Sequence, residues 1–309
     1  MKTGSYVYIL CSSGRDLFPE MTAVSLATLR MASPHARIVV LVDRQTSLLH
    51  TPGLTSLREA ADEFKVVDCP DTSPILRSRF LKCGARHIIA GPIVYLDSDT
   101  LVLRSPDEIW DLPCDVAACP DLAPNHRPYL ATAEWLEVAT MLGWTLPPRL
   151  FLNGGVIYFA DTLGADDFAN AFMSSWREFV RATGKPNDQL AFNRAVEQSG
   201  ARVAELPQSY NAQISMNPMA ARGAKVIHYF TGGFETRTDT IAHVVARRLK
   251  TEAVMDTAAL QAAIVMGHPW TRIDTVRKAI AAARYRDIAR AALGGVRKKF
   301  AGRREPAIE

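Results

Sequence analysis

Nowhere in the chain do apolar residues run for the roughly 18 to 20 positions that a bilayer-crossing helix requires. The start, MKTGSYVYILCSSGRD, lacks a usable secretory leader: the apolar run Tyr6–Cys11 is too short and reads better as a first buried strand. A cytoplasmic protein is the expectation. Cysteine is scarce and scattered: Cys11, Cys69, Cys83, Cys114 and Cys119 form no CxxC pair, which argues against a disulfide framework or a zinc site and for buried, reduced thiols. There is no internal repeat. The basic residues are not interleaved with aromatics and no known nucleic-acid module accompanies them, so nucleic acid is not an expected partner.

What is present is ordinary globular composition, 48% hydrophobic and 22% charged in 309 residues, enough for one large domain with an appendage or two modest domains. The net charge of +4 is unevenly placed. From Arg272 onward eleven Lys or Arg stand against four Asp or Glu, a net of +7, so the preceding body carries −3. A basic tail on a mildly acidic body fits either a solvated end or a peripheral contact with anionic lipid at the inner face of a membrane.

Strand and helix patterns alternate. Tyr6–Cys11, Ala36–Val42, the weaker Val66–Val67, Pro92–Leu96, Asp115–Cys119, Val156–Phe159 and Val226–Tyr229 read as strands. Met21–Met31, Ile75–Ile89, Ala165–Arg181 and Asn187–Gln198 read as helices, and Leu122–Arg149 as an inserted helical or looped segment. Continuous apolar strands between helices predict an α/β fold with a mainly parallel sheet covered on both faces. Strand signals stop near Thr236, after which the chain is Ala- and Arg-rich and predicted helical. The expected division is 1–235 for the α/β domain and 236–309 for a basic helical extension.

The sharpest chemical signal is Ile93–Leu103, IVYLDSDTLVL. Asp97 and Asp99 follow an apolar strand at i and i+2, so in extended backbone both side chains share a face, at the carboxyl end where open α/β sheets bind ligands. Two adjacent carboxylates repel unless a cation lies between them, and a hard divalent ion such as Mn²⁺ or Mg²⁺ would resolve this. Alone, the pair reads as readily as solvated turn residues. Three further segments carry polar groups of their own. FLNGGVIYF puts Asn153, Gly154 and Gly155 before a strand, where glycine lets backbone approach a ligand. NDQLAFN starts a helix with Asp188 and Gln189 at its positive terminus. VIHYFTGG sets His228 in a strand ahead of a Gly pair. Each has an ordinary structural explanation: a tight turn, an N-cap, a satisfied core histidine.

Taken in this order, the four segments resemble the family 8 glycosyltransferases, the retaining group of GT-A fold that includes glycogenin and bacterial lipopolysaccharide galactosyl- and glucosyltransferases. The resemblance covers roughly Ser5 to Gly233. It implies a Mn²⁺ (or Mg²⁺) held by Asp97, Asp99 and His228, bridging the diphosphate of a UDP-sugar donor. It implies contacts to the donor from Leu10, Cys11, Ser12 and Ser13 of the first loop, from Arg79 with Lys82, from Ser98, and from Asn153, Gly154 and Gly155. Asp188 and Gln189 are implied to face the transferred hexose as the catalytic pair. The sequence departs where the family commonly has a Lys after the His-Tyr-Thr-Gly segment: here GGFETR offers Gly232 amides and Arg237 instead. The implied reaction is hexosyl transfer, with retention of configuration, to a carbohydrate or lipid-linked acceptor in polysaccharide or lipopolysaccharide synthesis.

Two other readings use the same residues. A haloacid-dehalogenase-like phosphatase also has a strand followed by two aspartates, with Asp166 and Asp167 as a later acidic pair, but Thr100 follows Asp99 with no intervening residue. A non-catalytic nucleotide-binding domain would leave Asp188 and Gln189 without a task. A sugar-phosphate nucleotidylyltransferase would need a basic, Gly-rich first loop that is missing here.

Overall fold

The runs of β-branched and aromatic residues form strands and the amphipathic stretches form helices, in a computed structural model that describes residues 4–70, 73–122, 133–146, 151–216, 218–229 and 240–271. In chain order these are β1 (Ser5–Leu10), α1 (Phe18–Ala32), β2 (Arg37–Asp43), α2 (Arg44–Ser47), α3 (Pro52–Ala60), β3 (Glu63–Val67), α4 (Pro74–Ile88), β4 (Ile93–Leu96) and β5 (Thr100–Val102). There follow β6 (Val116–Pro120), α5 (Ala133–Met141), β7 (Leu152–Phe159), α6 (Leu163–Thr183), α7 (Gln189–Gln198), β8 (Val203–Glu205), β9 (Ala212–Gln213), β10 (Val226–His228), α8 (Ile241–Glu252) and α9 (Thr257–Met266).

Seven strands make the main sheet, in the order β3-β2-β1-β4-β7-β6-β8. All run one way except β7, which pairs antiparallel with both β4 and β6. The inner strands β1, β2, β4, β6 and β7 are buried because helices cover both faces, while the edge strands β3 and β8 are partly exposed. On one face Tyr8, Leu10, Val40 and Leu96 pack with Leu26 of α1 and Leu54 of α3. On the other, Val7, Ile9, Leu41 and Ile157 pack with Leu81 of α4, Phe168 and Phe172 of α6 and Phe192 of α7. The expected mainly parallel α/β sheet is what the chain forms.

A second sheet of three strands, β5-β10-β9, lies beyond the end of β4. The late strand foreseen around Val226–Tyr229 therefore belongs here, opposite β5, and not in the main sheet. Strands of two and three residues such as β9 and β5 leave no periodic trace in a sequence. A second difference concerns β7, which begins at Leu152, so Asn153, Gly154 and Gly155 lie inside the strand instead of in a turn before it. Asn153 pairs with Cys119 just past a register shift at Ala118/Cys119.

Beyond the second sheet, Ile241, Ala242 and Val245 of α8 bury themselves with Met21 and Val24 of α1. The Lys250 ammonium donates to the carbonyl of Arg15 at 3.0 Å and to that of Asp16, tying α8 to the loop between β1 and α1. Elsewhere one ion pair is fully enclosed: Arg77 of α4 meets Asp43 at 2.9 Å, with side chains 3% and 1% exposed. Asp43 also accepts the backbone N–H groups of Gln45 and Thr46, capping α2. The basic tail from Arg272 lies outside the described residues.

Candidate functional site

The site forms where β4 gives out. The Asp97 N–H still donates to the Gly155 carbonyl at 2.9 Å, continuing the β4–β7 ladder, and the Asp99 carbonyl accepts the Tyr229 N–H at 3.0 Å. Pairing of β5 with β10 sets Thr100 opposite His228, which carries the imidazole to the two acids. His228 Nε2 lies 3.2 Å from Asp99 Oδ1 and 3.7 Å from Asp97 Oδ2. The three ligand atoms all fall within 4.8 Å of one another.

The imidazole is oriented from behind. Asn211 Nδ2 donates to Asn153 Oδ1 at 2.8 Å, which turns Asn211 Oδ1 toward His228 Nδ1 at 2.9 Å. Nδ1 then carries the proton in the neutral ring, and the Nε2 lone pair faces the acids, the arrangement of a metal-ligating histidine with its supporting partner. The ring occupies the space beside Gly155, where an added Cβ would sit 2.2 Å from Cε1; only glycine admits it. Burial disfavours a charged imidazole, yet the nearby Asp99 and Asp97 carboxylates outweigh burial and raise its pKa above the ordinary value. Negative charge is in excess here, and the donor set suits a hard divalent cation.

From these ligands a cavity of about 880 Å³ extends across the carboxyl ends of β1, β4 and β6. Leu10, Cys11 and Ser13 of the first loop line it, as do Ser98, Asn153, Gly154 and Gly155. Ser12 does not: it is buried beneath the loop, where its N–H donates to Thr46 Oγ1 and its hydroxyl to Asp16. A loop turning inward alternates its side chains, and the serine expected at the donor instead holds the loop together. Arg79 and Lys82, at i and i+3 on α4, both line the cavity.

Asp188 stands at the start of α7 but makes no cap bond with its side chain. Its carboxylate turns to α4, 3.0 Å from Arg79 Nε and 2.9 Å from Lys82 Nζ. Burial pushes its pKa up, but the two cations prevail and hold it down at about 2. Lys82 also lies 3.6 Å from Asp97 and 4.9 Å from the Tyr95 ring, so one ammonium links the acid pair to Asp188. Tyr95 in turn donates its hydroxyl to Asp97. Gln189 accepts the Gly154 N–H at 3.2 Å through Oε1 and donates through Nε2 to the Leu152 carbonyl and, at 3.4 Å, to Asp121.

Asp121 is the residue the sequence reading missed. It follows β6 on the cavity wall and accepts Asn153 Nδ2 at 2.9 Å, while burial raises its pKa. Its signal was positional: a carboxylate one residue past a buried parallel strand, the same placement as Asp97. Trp135 on α5 and Asn211 were likewise unforeseen. Gly232 and Arg237 lie outside the described residues. The acidic pair that a phosphatase would need is not assembled: Asp166 bonds Arg86 at 3.1 Å beside Asp161, which follows the carboxyl end of the reversed strand β7 and so lies at the sheet end remote from Asp97.

No protein-family profile matches the chain, and no curated protein matches it in sequence. Solved structures do share its architecture, and they define the fold as the GT-A type of glycosyltransferases, a mostly parallel central sheet flanked by helices. The galactosyltransferase LgtC, solved with donor and acceptor sugar analogues, has a TM-score of 0.55 at 16% identity, covering 87% of this chain and 97% of LgtC. The apo form of the bifunctional glycosyltransferase WbbM gives 0.54 at 15% identity over 90% of this chain. This chain spans 52% of WbbM, about half its length. At such identities the likeness is one of fold.

Proposed function

We propose that the chain is a glycosyltransferase of the family 8 kind, moving a hexose from a UDP-sugar donor with the help of Mn²⁺ or Mg²⁺. The observation that carries this reading is the convergence of Asp97, Asp99 and His228 at one rim of a cavity that fits a nucleotide-sugar. Asp97, Asp99 and His228 Nε2 would hold the divalent ion, which would supply positive charge to the donor's diphosphate. A bound ion of this type stabilises the negative charge that grows on a departing diphosphate, an effect worth several kcal/mol.

The chain's own residues supply the rest. Leu10, Cys11 and Ser13 wall the nucleoside end, and Ser98 lies between the metal-ligating acids. Arg79 and Lys82 add positive charge near the phosphates while keeping Asp188 ionised. Asn153, on the cavity wall with Gly154 and Gly155, offers its side-chain amide to sugar hydroxyls. Gln189, fixed at both ends of its amide, presents its side chain to the reacting sugar, and Asp188 orients hydroxyls. Gly232 and Arg237, outside the described residues, keep the diphosphate-binding role that the family resemblance implies. Transfer proceeds with retention, the acceptor being a carbohydrate or lipid-linked glycan. The basic end of the chain rests on anionic lipid at the inner membrane face, the protein being cytoplasmic; among the described residues no helix is long and apolar enough to cross a membrane.

A panel of UDP-sugars assayed for Mn²⁺-dependent hydrolysis tests the reading without any acceptor. One or more should be cleaved with metal and spared with chelator. Calorimetry with UDP, with and without Mn²⁺, separates an enzyme from a mere binder, and absence of both binding and hydrolysis would reject the assignment. Proton NMR of a product linkage checks retention, and liposome co-sedimentation of the chain shortened at Arg272 checks the lipid contact.

A further inference from the structure

The cavity lining is of two kinds. Around the metal ligands and α4 the groups are charged: Asp97, Asp99, Lys82, Arg79 and Asp188. The same lining includes apolar residues, Trp135 of α5 together with Leu122 and Met216. The diphosphate of a donor has use for the charged groups and none for the indole. At about 880 Å³ the space also lies toward the upper end of the roughly 300 to 1,000 Å³ that holds one drug-sized ligand.

We infer that Trp135 is the platform of a second subsite, which takes the acceptor as a neutral hexopyranoside laid by its C–H face on the indole. This deepens the glycosyltransferase reading and rests on it. The indole is placed with care. It stacks on Phe151 at a centroid distance of 5.0 Å and an interplanar angle of 24°. Phe151 is itself 2% exposed, in a small cluster with Phe179 and Leu190, so the platform has a firm base. The Phe151 carbonyl accepts the Asp121 N–H at 2.7 Å, and the carbonyl of the next residue, Leu152, accepts the Gln189 amide. Trp135 thus stacks on a residue whose backbone is bonded to that of Asp121 and whose chain neighbour, Leu152, is bonded to Gln189. The helix bearing it is pinned to the body: Glu134 meets Lys185 at 2.6 Å, and Trp144 Nε1 donates to Glu178 of α6 at 3.1 Å.

A pyranose has an apolar face of ring hydrogens and a polar edge of hydroxyls. A half-buried indole in the same cavity wall as Asp121 and Asn187 suits both, the ring by contact area and the edge by hydrogen bonds. An acyl chain or an amine would match only one of them.

The test reads the indole directly. The protein has five tryptophans, so with ¹⁵N-labelled indoles the Trp135 resonance is the one missing from Trp135→Phe. Methyl β-galactopyranoside, methyl β-glucopyranoside and methyl α-mannopyranoside are titrated in turn, with and without UDP and diamagnetic Mg²⁺. At least one should move that resonance. In the variants, which lack that indole, binding is followed through the backbone amide resonances that the same sugar moves in the unaltered chain: Trp135→Ala should weaken it roughly tenfold, as expected for loss of an aromatic contact, and Trp135→Phe, which keeps an aromatic ring on Phe151, should lose less. Glu137→Ala, an exposed change on the same helix, should bind as the unaltered chain does. No movement with any of the three sugars up to their solubility, or equal affinity in Trp135→Ala, overturns the inference. Failure of UDP and Mg²⁺ to bind the same sample would instead strike the donor reading, and is seen separately.

Discussion

Two groups of enclosed charge in this chain are built on opposite plans. Asp43 and Arg77 form a matched pair, and the carboxylate is further satisfied by the N–H groups of α2. Asp97, Asp99 and His228 bring two acids and a basic ring to one point, with the ring already committed on its far side to Asn211. The first group is balanced and complete in itself. The second carries surplus negative charge, relieved only in part by Lys82 at 3.6 Å and by a raised imidazole pKa. A protein bears such imbalance where a ligand is to finish it.

The largest test of the comparison is on the balanced side. Asp43→Ala would leave Arg77 charged and enclosed, at a cost of about 3 to 5 kcal/mol in unfolding free energy by urea titration; a change within error would mean the pair is not insulated as its burial implies. Asp99→Asn should do the reverse, leaving the metal-free protein at least as stable while lowering Mn²⁺-dependent donor cleavage by roughly 10²- to 10³-fold. Cleavage that stays metal-stimulated in this variant would remove Asp99 from the metal.

Gly155→Ala pushes a methyl group into the His228 ring and should weaken Mn²⁺ binding roughly 10- to 100-fold, as for loss of an orienting contact; Mn²⁺ titration by electron paramagnetic resonance measures it. The smallest effect concerns Asp188. Its folded pKa, about 2, lies below the ordinary aspartate value of 3.8, so its contribution is present above about pH 4 and is lost as pH falls toward 2. That contribution is about 2 kcal/mol. Asp188→Asn should flatten this part of the acid stability curve; an unchanged slope would show that Arg79 and Lys82 do not hold the carboxylate.

The two plans differ also in how far they could be read in advance. Asp97 and Asp99 sit two apart at a strand end, so local periodicity alone puts them on one face. His228 is brought to them by β5 and β10, three-residue strands without pattern, and only the resemblance of segment order placed it there. Asp188 was foreseen at a helix start, but its bonds to Arg79 and Lys82 depend on α4 passing α7, which no local signal encodes. Asp121 and Trp135 went unnoticed because one follows a proline-ended strand and the other lies in a segment without clear period. Ser12 was assigned to the cavity by its neighbours' company, and the turn of the loop directed it inward.

Lys250 gives the architecture a consequence of its own. A late helix clasps the two carbonyls at which the first loop turns, so the chain closes like a belt whose buckle sits at the loop after β1. Trimming the protein upstream of α8, as though everything past the second sheet were ornament, would unfasten the beginning of the fold.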